Sequence, residues 1–219
     1  MINVRFLGHA CFEIDTGREK LLIDPYLNEN PYAPVKAEDI SADYIFVTHG
    51  HVDHVGDTAL IASACGAKIV SSADILNALF FPYECIPMNL GGRVDFPFGS
   101  VKQIQALHGS GVNGAPASGF LFDINGTKIY HAGDTALMKD FELLRDDHVD
   151  LALLPIGDVY TMGPEDAVKA AKMIGAKMNI PMHYKTFPNL VQDPGIFGDL
   201  CKTNHVPVTI LEPGESYQL

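Results

Sequence analysis

Thr48-His49-Gly50-His51-Val52-Asp53-His54 places three histidines and one aspartate within six residues. Residues 43–47, directly before it, read Asp-Tyr-Ile-Phe-Val and predict a buried β-strand, because they are mostly apolar and β-prone. The polar residues therefore follow the carboxyl end of a strand, on a loop that leads into a helix. Open α/β sheets place their binding sites at this edge, so the stretch predicts a functional loop.

The side chains of this loop are suited to two neighbouring metal ions. Neutral imidazole and carboxylate groups are common ligands of Zn²⁺, Fe²⁺ and Mn²⁺. His49 and His51 can point at one ion, while Asp53 and His54 can point at a second ion close by. The alternative interpretation is a polar surface turn. Three of the chain's nine histidines lie within these six residues, a density that chance rarely produces, and this disfavours the surface turn.

Three further ligand-type residues each follow a predicted strand. They are His108 after residues 100–107, Asp134 after residues 127–130, and His183 after residues 176–182. Four separate segments therefore agree, in order, with one pattern. In this respect the chain resembles the metallo-β-lactamase superfamily, and the resemblance covers essentially all of it.

The resemblance implies both a ligand arrangement and a fold. The implied ligands are His49, His51 and His108 for the first ion, Asp53, His54 and His183 for the second, and Asp134 as the bridge. Two divalent ions are expected, with zinc as the first choice and manganese, iron or nickel as alternatives. The implied fold is α/β, a four-layer αβ/βα sandwich. Periodicity by itself indicates only a mixed α/β protein with many strands.

Three residues outside this ligand arrangement are also predicted to lie near the site. His9, within Gly8-His9-Ala10, resembles a turn in the superfamily branch that includes ascorbate-6-phosphate lactonase and N-acylphosphatidylethanolamine phospholipase D. Its alternative is a structural histidine. Asp24 matches the same branch and is expected to accept the outer N–H of a ligand histidine, or else to cap a turn. Asp158, on a loop before a predicted helix, is expected to support the metals or move protons, with an ordinary capping loop as the alternative.

The chemistry implied by the resemblance is hydrolysis. Two ions about 3.5–4 Å apart lower the pKa of bound water to near 7, and the resulting metal-bound hydroxide attacks a carbonyl or a phosphorus. No serine or cysteine nucleophile is then required, and Asp53 is expected to orient the hydroxide or relay its proton. Oxygen-reducing diiron members of the superfamily carry Glu where His51 stands here, which favours hydrolysis over redox chemistry.

Length and composition narrow the class of protein. A chain of 219 residues is long enough for one substantial core, so we expect a single hydrolase domain spanning 1–219. No apolar run approaches the roughly 20 residues of a membrane helix, and the amino-terminal residues enter a strand pattern without a signal peptide. Four scattered cysteines without a C-x-x-C pair suggest a reducing cytosol. We therefore expect a cytoplasmic protein without membrane association.

Charge and loop composition suggest the type of substrate. The net charge of −12 and the lack of a dense Lys/Arg run make nucleic acid an unfavourable partner. The loops after Gly157 and His108 offer backbone N–H donors, which favours a small anionic substrate. We expect a small ester, lactone or phosphoester. A phosphodiesterase or ribonuclease of the RNA-processing branch and a non-catalytic metal-binding protein remain as alternatives, and a homo-oligomer is compatible with the sequence.

Local sequence signals predict several individual elements. Ser72 is expected to cap a helix over residues 73–81, Asn125-Gly126 to form a type I′ hairpin turn, and Gly175 to end a helix opened by Pro164. Apolar residues at 206–211, after a helix near residues 196–202, predict a final strand.

Overall fold

The computed structural model describes residues 1–219 and contains thirteen β-strands. The strands are β1 (Asn3–Phe6), β2 (Phe12–Asp15), β3 (Lys20–Ile23), β4 (Tyr44–Phe46), β5 (Lys68–Ser72), β6 (Cys85–Met88), β7 (Arg93–Phe96), β8 (Gly99–Gln105), β9 (Ser118–Ile124), β10 (Thr127–His131), β11 (Leu151–Pro155), β12 (Met178–Met182) and β13 (Ser216–Gln218). They form a seven-stranded sheet in the order β13-β1-β2-β3-β4-β5-β6 and a six-stranded sheet in the order β12-β11-β10-β9-β8-β7. In the seven-stranded sheet, β13, β1, β2 and β3 pair antiparallel, and β3 to β6 pair parallel. In the six-stranded sheet, β7 to β10 pair antiparallel, and β10 to β12 pair parallel.

Five α-helices connect the strands. They are α1 (Val52–Val55), α2 (Thr58–Cys65), α3 (Ala73–Leu79), α4 (Pro164–Ile174) and α5 (Gly195–Thr203). Two 3-10 segments, Ala37–Asp39 and Lys139–Asp147, complete the regular structure. None of the helices has the length and apolar character needed to cross a membrane.

The layers follow from the alternation of side chains along the strands. In β3, Leu21 and Ile23 belong to the larger core between the sheets, whereas Leu22 belongs to a smaller core on the other face. Ile61 of α2 contributes to this smaller core. Successive strand residues point to opposite faces, so the seven-stranded sheet is covered by helices on one side and by the second sheet on the other. The predicted αβ/βα sandwich is confirmed.

Aromatic side chains hold the two sheets together. The ring centroid of Phe46 on β4 lies 5.4 Å from that of Phe120 and 4.9 Å from that of Phe122, both on β9. All three side chains are fully buried. Burying a phenylalanine contributes about 1.5–3 kcal/mol, so this contact stabilises the packing next to the end of β4, where the polar loop begins.

Several predicted local signals match the structure. The Ser72 hydroxyl oxygen accepts a hydrogen bond from the N–H of Ile75 at 3.3 Å, at the start of α3. Asn125 and Gly126 both have positive φ, 52° and 92°, as a type I′ turn requires. Gly175, with φ of 68°, ends α4 in the left-handed conformation.

The prediction of a final strand over residues 206–211 is wrong. This segment makes only an isolated bridge, between Val208 and Asn179 of β12. Pro207 has no N–H to donate, and the Asn179 side chain donates to the Pro207 carbonyl at 2.9 Å. The last strand is instead β13, which pairs with β1. Strands β6 and β7 were also absent from the sequence prediction.

Candidate metal centre

Eight side chains bring their metal-ligating atoms together in two groups at one edge of the sandwich. Within each group, all ligand atoms lie within 4.8 Å of one another. We name them the outer cluster (His49, His51, His108 and Asp134) and the inner cluster (His9, Asp53, His54 and His183). The polar loop after β4 and the short helix α1 that follows it supply four of these residues, the loops after β8, β10 and β12 supply three, and the turn after β1 supplies His9. The two sheets thus both contribute to the site.

Asp134 lies between the two clusters. Its Oδ2 atom is 3.8 Å from His49 Nε2 and 3.6 Å from His108 Nε2 on the outer side. On the inner side, it is 3.3 Å from His54 Nε2 and 3.2 Å from His183 Nε2. A single carboxylate oxygen therefore faces imidazole nitrogens from both clusters, which is the geometry required of a bridging ligand.

Backbone packing holds Asp134 in this position. The preceding residue, Gly133, has φ of 61°, and a Cβ atom there would lie only 2.4 Å from the Ser118 carbonyl oxygen. Its N–H donates to Nδ1 of the buried His131, whose Nε2 donates to the Ala10 carbonyl at 2.9 Å. Only glycine fits this close approach without strain, so the loop that carries Asp134 is tightly defined.

Unpaired buried atoms show that the clusters suit cations. His183 Nδ1 and Asp134 Oδ1 are buried without a hydrogen-bond partner, and His54 Nε2 and His183 Nε2 face the Asp134 carboxylate without forming a well-aligned hydrogen bond. An unsatisfied buried polar group costs about 1–3 kcal/mol, and buried charges are normally paired or bound to metals. The ion-pair partners of Asp53 and Asp134 are all histidines, and neither carboxylate pairs with a Lys or Arg. The imidazole and carboxylate donors therefore fit divalent ions such as zinc, manganese or iron.

Asp24 supports the inner cluster from within the core. Its Oδ2 accepts hydrogen bonds from His54 Nδ1 and from the Thr48 hydroxyl, both at 2.7 Å, and its Oδ1 accepts the Thr48 N–H at 2.8 Å. The side chain is completely buried. This arrangement leaves His54 Nε2 pointing towards Asp134, as expected of a residue that orients a metal ligand from behind.

His9 lies inside the inner cluster. The ring is 1% exposed, and its centroid is 4.0 Å from that of His183. Its Nε2 is 2.9 Å from Asp53 Oδ2, and its Nδ1 is 3.0 Å from Thr186 Oγ1. An ionised carboxylate can only accept, so in the neutral ring Nε2 carries the proton and Nδ1 accepts the Thr186 hydroxyl. His9 thereby holds Asp53 rather than presenting a free nitrogen to a metal.

The electrostatics of the inner cluster differ from residue to residue. Burial, together with the nearby His183 ring, lowers the pKa of His9 to about 4, so this ring is neutral at pH 7. For His54, burial also acts to lower the pKa of the ring, but nearby negative charge acts in the opposite direction. The carboxylates of Asp134 and Asp24 outweigh burial and raise the pKa of His54 well above its ordinary value. Positive charge is therefore favoured between these two carboxylates, as a cation-binding site requires.

Asp158 lies outside both clusters. The residue is exposed. Its carboxylate packs against Gly163, where an added Cβ atom would lie 3.3 Å from Asp158 Oδ1. It is not among the residues that line the cavity above the clusters. The structure thus brings His9 and Asp24 to the ligands and leaves Asp158 on the surface of its loop.

A cavity of about 580 Å³ opens above the clusters. It is lined by His51, Asp53, His108, Asp134, Tyr160, His183, Phe187, Pro188 and Asn189. Phe187, Pro188, Asn189 and Tyr160 were not predicted from the sequence to lie at the site. Phe187, Pro188 and Asn189 follow His183 by four to six residues, and Tyr160 shares a loop with Asp158. This closeness in sequence to predicted site residues was the only signal that could have indicated them. Cavities of this size bind small molecules.

Close backbone packing joins the two loops that border this cavity. A Cβ atom at Gly157 would lie 2.2 Å from the His183 carbonyl oxygen and 3.0 Å from His183 Nδ1. Glycine is therefore required for the chain after β11 to pass directly beside His183. The loop that supplies Tyr160 is fixed against a predicted metal ligand.

Comparison with known proteins gives the family. Residues 3–183 match the model of the beta-lactamase superfamily domain. The chain is 47% identical to the UPF0173 metal-dependent hydrolase STH3160 of Symbiobacterium thermophilum, with 100% of both chains covered. The chain belongs to the UPF0173 metal-dependent hydrolases. It is therefore a metal-dependent hydrolase of the metallo-β-lactamase superfamily, and the predicted resemblance is confirmed.

Two further relatives extend across the whole chain. A UPF0173 metal-dependent hydrolase of Heliobacterium modesticaldum is 44% identical over 100% of this chain and 98% of its own. Among solved structures, Igni18, a novel metallo hydrolase from the archaeon Ignicoccus hospitalis, is 30% identical with a TM-score of 0.92. The match covers 100% of this chain and 99% of that one. The fold of this chain is thus shared with a metallo hydrolase that is only 30% identical in sequence.

Proposed function

We propose that this UPF0173 protein uses two divalent metal ions to hydrolyse a small ester, lactone or phosphoester. The observation that carries the proposal is the position of Asp134 Oδ2, between 3.2 and 3.8 Å from histidine nitrogens of both clusters. The outer ion would be held by His49, His51 and His108, and the inner ion by Asp53, His54 and His183. Asp134 would bridge them. Zinc is our first choice, followed by manganese, iron and nickel.

When bound, such ions polarise a carbonyl or phosphoryl oxygen and lower the pKa of water to near 7. The protein's own contribution is to position the groups around them. Asp53 lines the cavity, and its Oδ2 accepts a hydrogen bond from His9 Nε2. Its Oδ1 makes no hydrogen bond within the protein. We assign Asp53 the role of orienting the attacking water and holding its proton at Oδ1, with His9 as the residue that fixes Asp53.

The extent of the chain involved and its location are part of the same proposal. We treat residues 1–219 as one hydrolase domain because the larger core runs from Ile2 to Leu211 and includes strands of both sheets. All four cysteines are free, including the exposed Cys65. Free cysteines persist in reducing compartments, which supports the cytoplasm as the location.

Hydrolysis of RNA is the alternative function, and the cavity argues against it. None of the nine lining residues is a lysine or arginine, and the protein carries a net charge of −12. Phosphate contacts from basic side chains dominate affinity for nucleic acids. A small substrate held by the ions themselves agrees better with this composition.

The test combines metal content with a panel of substrates. Protein purified without chelator should contain about two equivalents of metal. It should hydrolyse small lactones or bis-aryl phosphodiesters, and EDTA and His51→Ala should both abolish this activity. His205→Asn is the matched control, because His205 is exposed, lies outside both clusters, and has positive φ that asparagine tolerates.

The same panel includes cyclic nucleotides and a labelled tRNA precursor. Weak or absent tRNA binding at physiological salt is expected. Site-specific cleavage of the RNA, without turnover of any small substrate, would replace our proposal with the ribonuclease alternative. One equivalent of metal, unchanged after metal is added, would contradict the two-ion site.

A further inference from the structure

One part of the cavity lining carries no charge. Tyr160 comes from the loop after β11, and Phe187, Pro188 and Asn189 come from the loop after β12. We name these four residues the apolar wall. The rest of the lining consists of the predicted metal ligands. A bound substrate would therefore meet two different surfaces, a polar floor and an uncharged wall.

Hydrogen bonds between the two loops, and one within the loop after β12, hold the wall in place. Val191 N–H donates to the Gly157 carbonyl at 3.0 Å, and Lys185 N–H donates to the Val191 carbonyl at 2.8 Å. The Asn189 side-chain amide donates to the Tyr160 hydroxyl oxygen at 2.9 Å. The wall is thus largely formed before a ligand arrives, which reduces the entropy cost of binding.

The loop after β11 has two exposed large side chains and a strained backbone conformation. Val159 and Tyr160 are 60% and 54% exposed. Val159 is β-branched, yet its φ is 38°, a region where such residues are genuine outliers. Strained backbone of this kind is concentrated at binding and catalytic sites. The strain here places Tyr160 beside the cavity.

Phe187 continues the wall towards the inner cluster. Its ring lies edge-on to His9, with centroids 5.4 Å apart, and 6.4 Å from the ring of Tyr26. The ring is only partly buried, so one side remains available to a ligand. The apolar surface therefore reaches the immediate neighbourhood of the inner ligands.

No cationic group is available beside the wall. The nearest lysine along the chain, Lys185, places its Nζ over the ring of Tyr32, 5.1 Å from the centroid, and does not line the cavity. A charged distal group on the substrate, such as a second phosphate or a carboxylate, would thus be buried against the wall without a partner. Burying an unpaired charge is strongly unfavourable.

Most N–H groups of the loop after Gly157 are already used within the protein. The N–H groups of Asp158 and Thr161 are used within the loop, and that of Met162 donates to the Thr135 carbonyl. The first turn of α4 carries Glu165 and Asp166, which repel an anion at that helix end. This helix end is therefore unfavourable for a substrate phosphate or carboxylate, and the metal floor is the better place for it.

We propose that the apolar wall binds an uncharged aryl or alkyl part of the substrate while the scissile group lies on the metal floor. The inference rests on the proposed two-ion hydrolase. Tyr160 accepts the Asn189 amide hydrogen, so its own O–H is free to donate one hydrogen bond to a neutral oxygen of the substrate. The substrate then carries no more than one anionic group. Phe187 and Tyr160 are its specificity-determining residues.

Equilibrium binding tests this without relying on turnover. Calorimetry on the metal-loaded protein would use methylphosphonate, phenylphosphonate and 4-carboxyphenylphosphonate, which share one anionic head and differ only in the group facing the wall. We expect phenylphosphonate to bind about tenfold more tightly than methylphosphonate, as burial of an aromatic ring predicts. The added carboxylate should remove this advantage.

Variants locate the effect on the wall. Phe187→Ala and Tyr160→Ala should reduce phenylphosphonate affinity about tenfold while leaving methylphosphonate affinity and metal content unchanged. Tyr160→Phe separates the hydroxyl from the ring and should retain most of the preference for the phenyl group. Leu143→Ala, a 70% exposed leucine outside this cavity, is the matched control and should change nothing.

The outcomes distinguish the two proposals. Equal affinity for all three phosphonates, or tighter binding of the carboxylated one, overturns the apolar wall and leaves the two-ion hydrolase in place. If none of the phosphonates binds the metal-loaded protein and no ester or phosphoester is hydrolysed, the proposed function fails and this inference fails with it.

Discussion

The inner and outer clusters hold similar side chains in different surroundings. In the inner cluster, three of four residues are buried, and fixed partners in the core, Asp24 and Thr186, orient His54 and His9. In the outer cluster, His51 and His108 are partly exposed, and no hydrogen bond ties either ring to a side chain outside the cluster. Similar ligands can thus be held with different rigidity.

In the outer cluster, His49 has a side-chain partner in the Thr48 hydroxyl, 2.9 Å from its Nδ1, whereas the loops that carry His51 and His108 are joined by a backbone contact. Gly50 N–H donates to the Ser110 carbonyl at 2.7 Å, which ties the polar loop to the loop after His108. Outer-shell hydrogen bonds raise metal affinity about 10–100-fold, so we expect the inner ion to be held more firmly. The outer ion, next to the open cavity, should exchange faster. The four predictions below test this difference.

The largest effect should come from the residue that the two clusters share. Asp134→Ala removes the oxygen that faces nitrogens of both, so metal content should fall from two equivalents to one or fewer. Activity should fall about a thousandfold or more, since bound ions supply several kcal/mol of transition-state stabilisation. Elemental analysis and steady-state kinetics measure the two losses. Asp199→Ala, at an exposed aspartate, is the control, and two tightly held ions in Asp134→Ala would contradict the bridge.

The second prediction separates the clusters by their rate of metal loss. A limiting chelator should remove metal from the wild-type protein in a fast and a slow step. His108→Ala should eliminate the fast step and leave one firmly held equivalent. His183→Ala should eliminate the slow step, because this buried ligand belongs to the inner cluster. A fast step that disappears in His183→Ala would reverse our assignment of the two sites.

The third prediction concerns the buried carboxylate behind His54. Asp24→Asn keeps the shape of the side chain but weakens its hydrogen bond to His54 Nδ1. Affinity for the inner ion should fall about 10–100-fold, while affinity for the outer ion should remain near normal. Competition with a chromophoric chelator measures both constants. Equal weakening at the two sites would indicate general damage to the fold rather than a role for Asp24 at the inner ion.

The smallest effect should come from Thr186, which contacts no predicted ligand directly. Thr186→Val removes the hydroxyl beside His9 Nδ1, so the ring loses the partner that fixes its orientation. We expect activity to fall several-fold to about tenfold with both metal equivalents retained. Nitrogen chemical shifts of the His9 ring report its tautomer independently of turnover. Thr186→Ser should restore both values, and unchanged ring shifts in Thr186→Val would exclude this role.

The fold and the approach of the ligands could be predicted because they depend on local patterns. An apolar strand followed by a polar loop is visible around His49, and the same arrangement recurs before His108 and His183. Strands of one sheet deliver their carboxyl ends to a common edge. The order of these segments along the chain was therefore sufficient to bring distant residues into one predicted site.

The features that could not be predicted from the sequence depend on contacts between segments that are distant along the chain. Residues 206–211 have strand-like composition, but Pro207 and the side chain of Asn179 occupy the positions where a ladder would continue. Tyr160 and Phe187 belong to no sequence motif that would mark them as site residues. They line the cavity because hydrogen bonds join the loop after β11 to the loop after β12. Propensity identifies an extended segment or a loop, but not the partner that it finds.

The ligand loops originate from both sheets, and this has a consequence for the lifetime of the protein. An ion held between His54, which follows β4 of one sheet, and His183, which follows β12 of the other, would be a cross-link between the sheets, comparable to a disulfide that closes a long loop. A metal that binds only the folded chain adds to its stability, by about 4 kcal/mol at a thousandfold excess over Kd, so metal supply would control how long the folded chain survives as well as its activity. Chains that never acquire metal would open first at this edge and be degraded first. The population that persists would be enriched in molecules able to work.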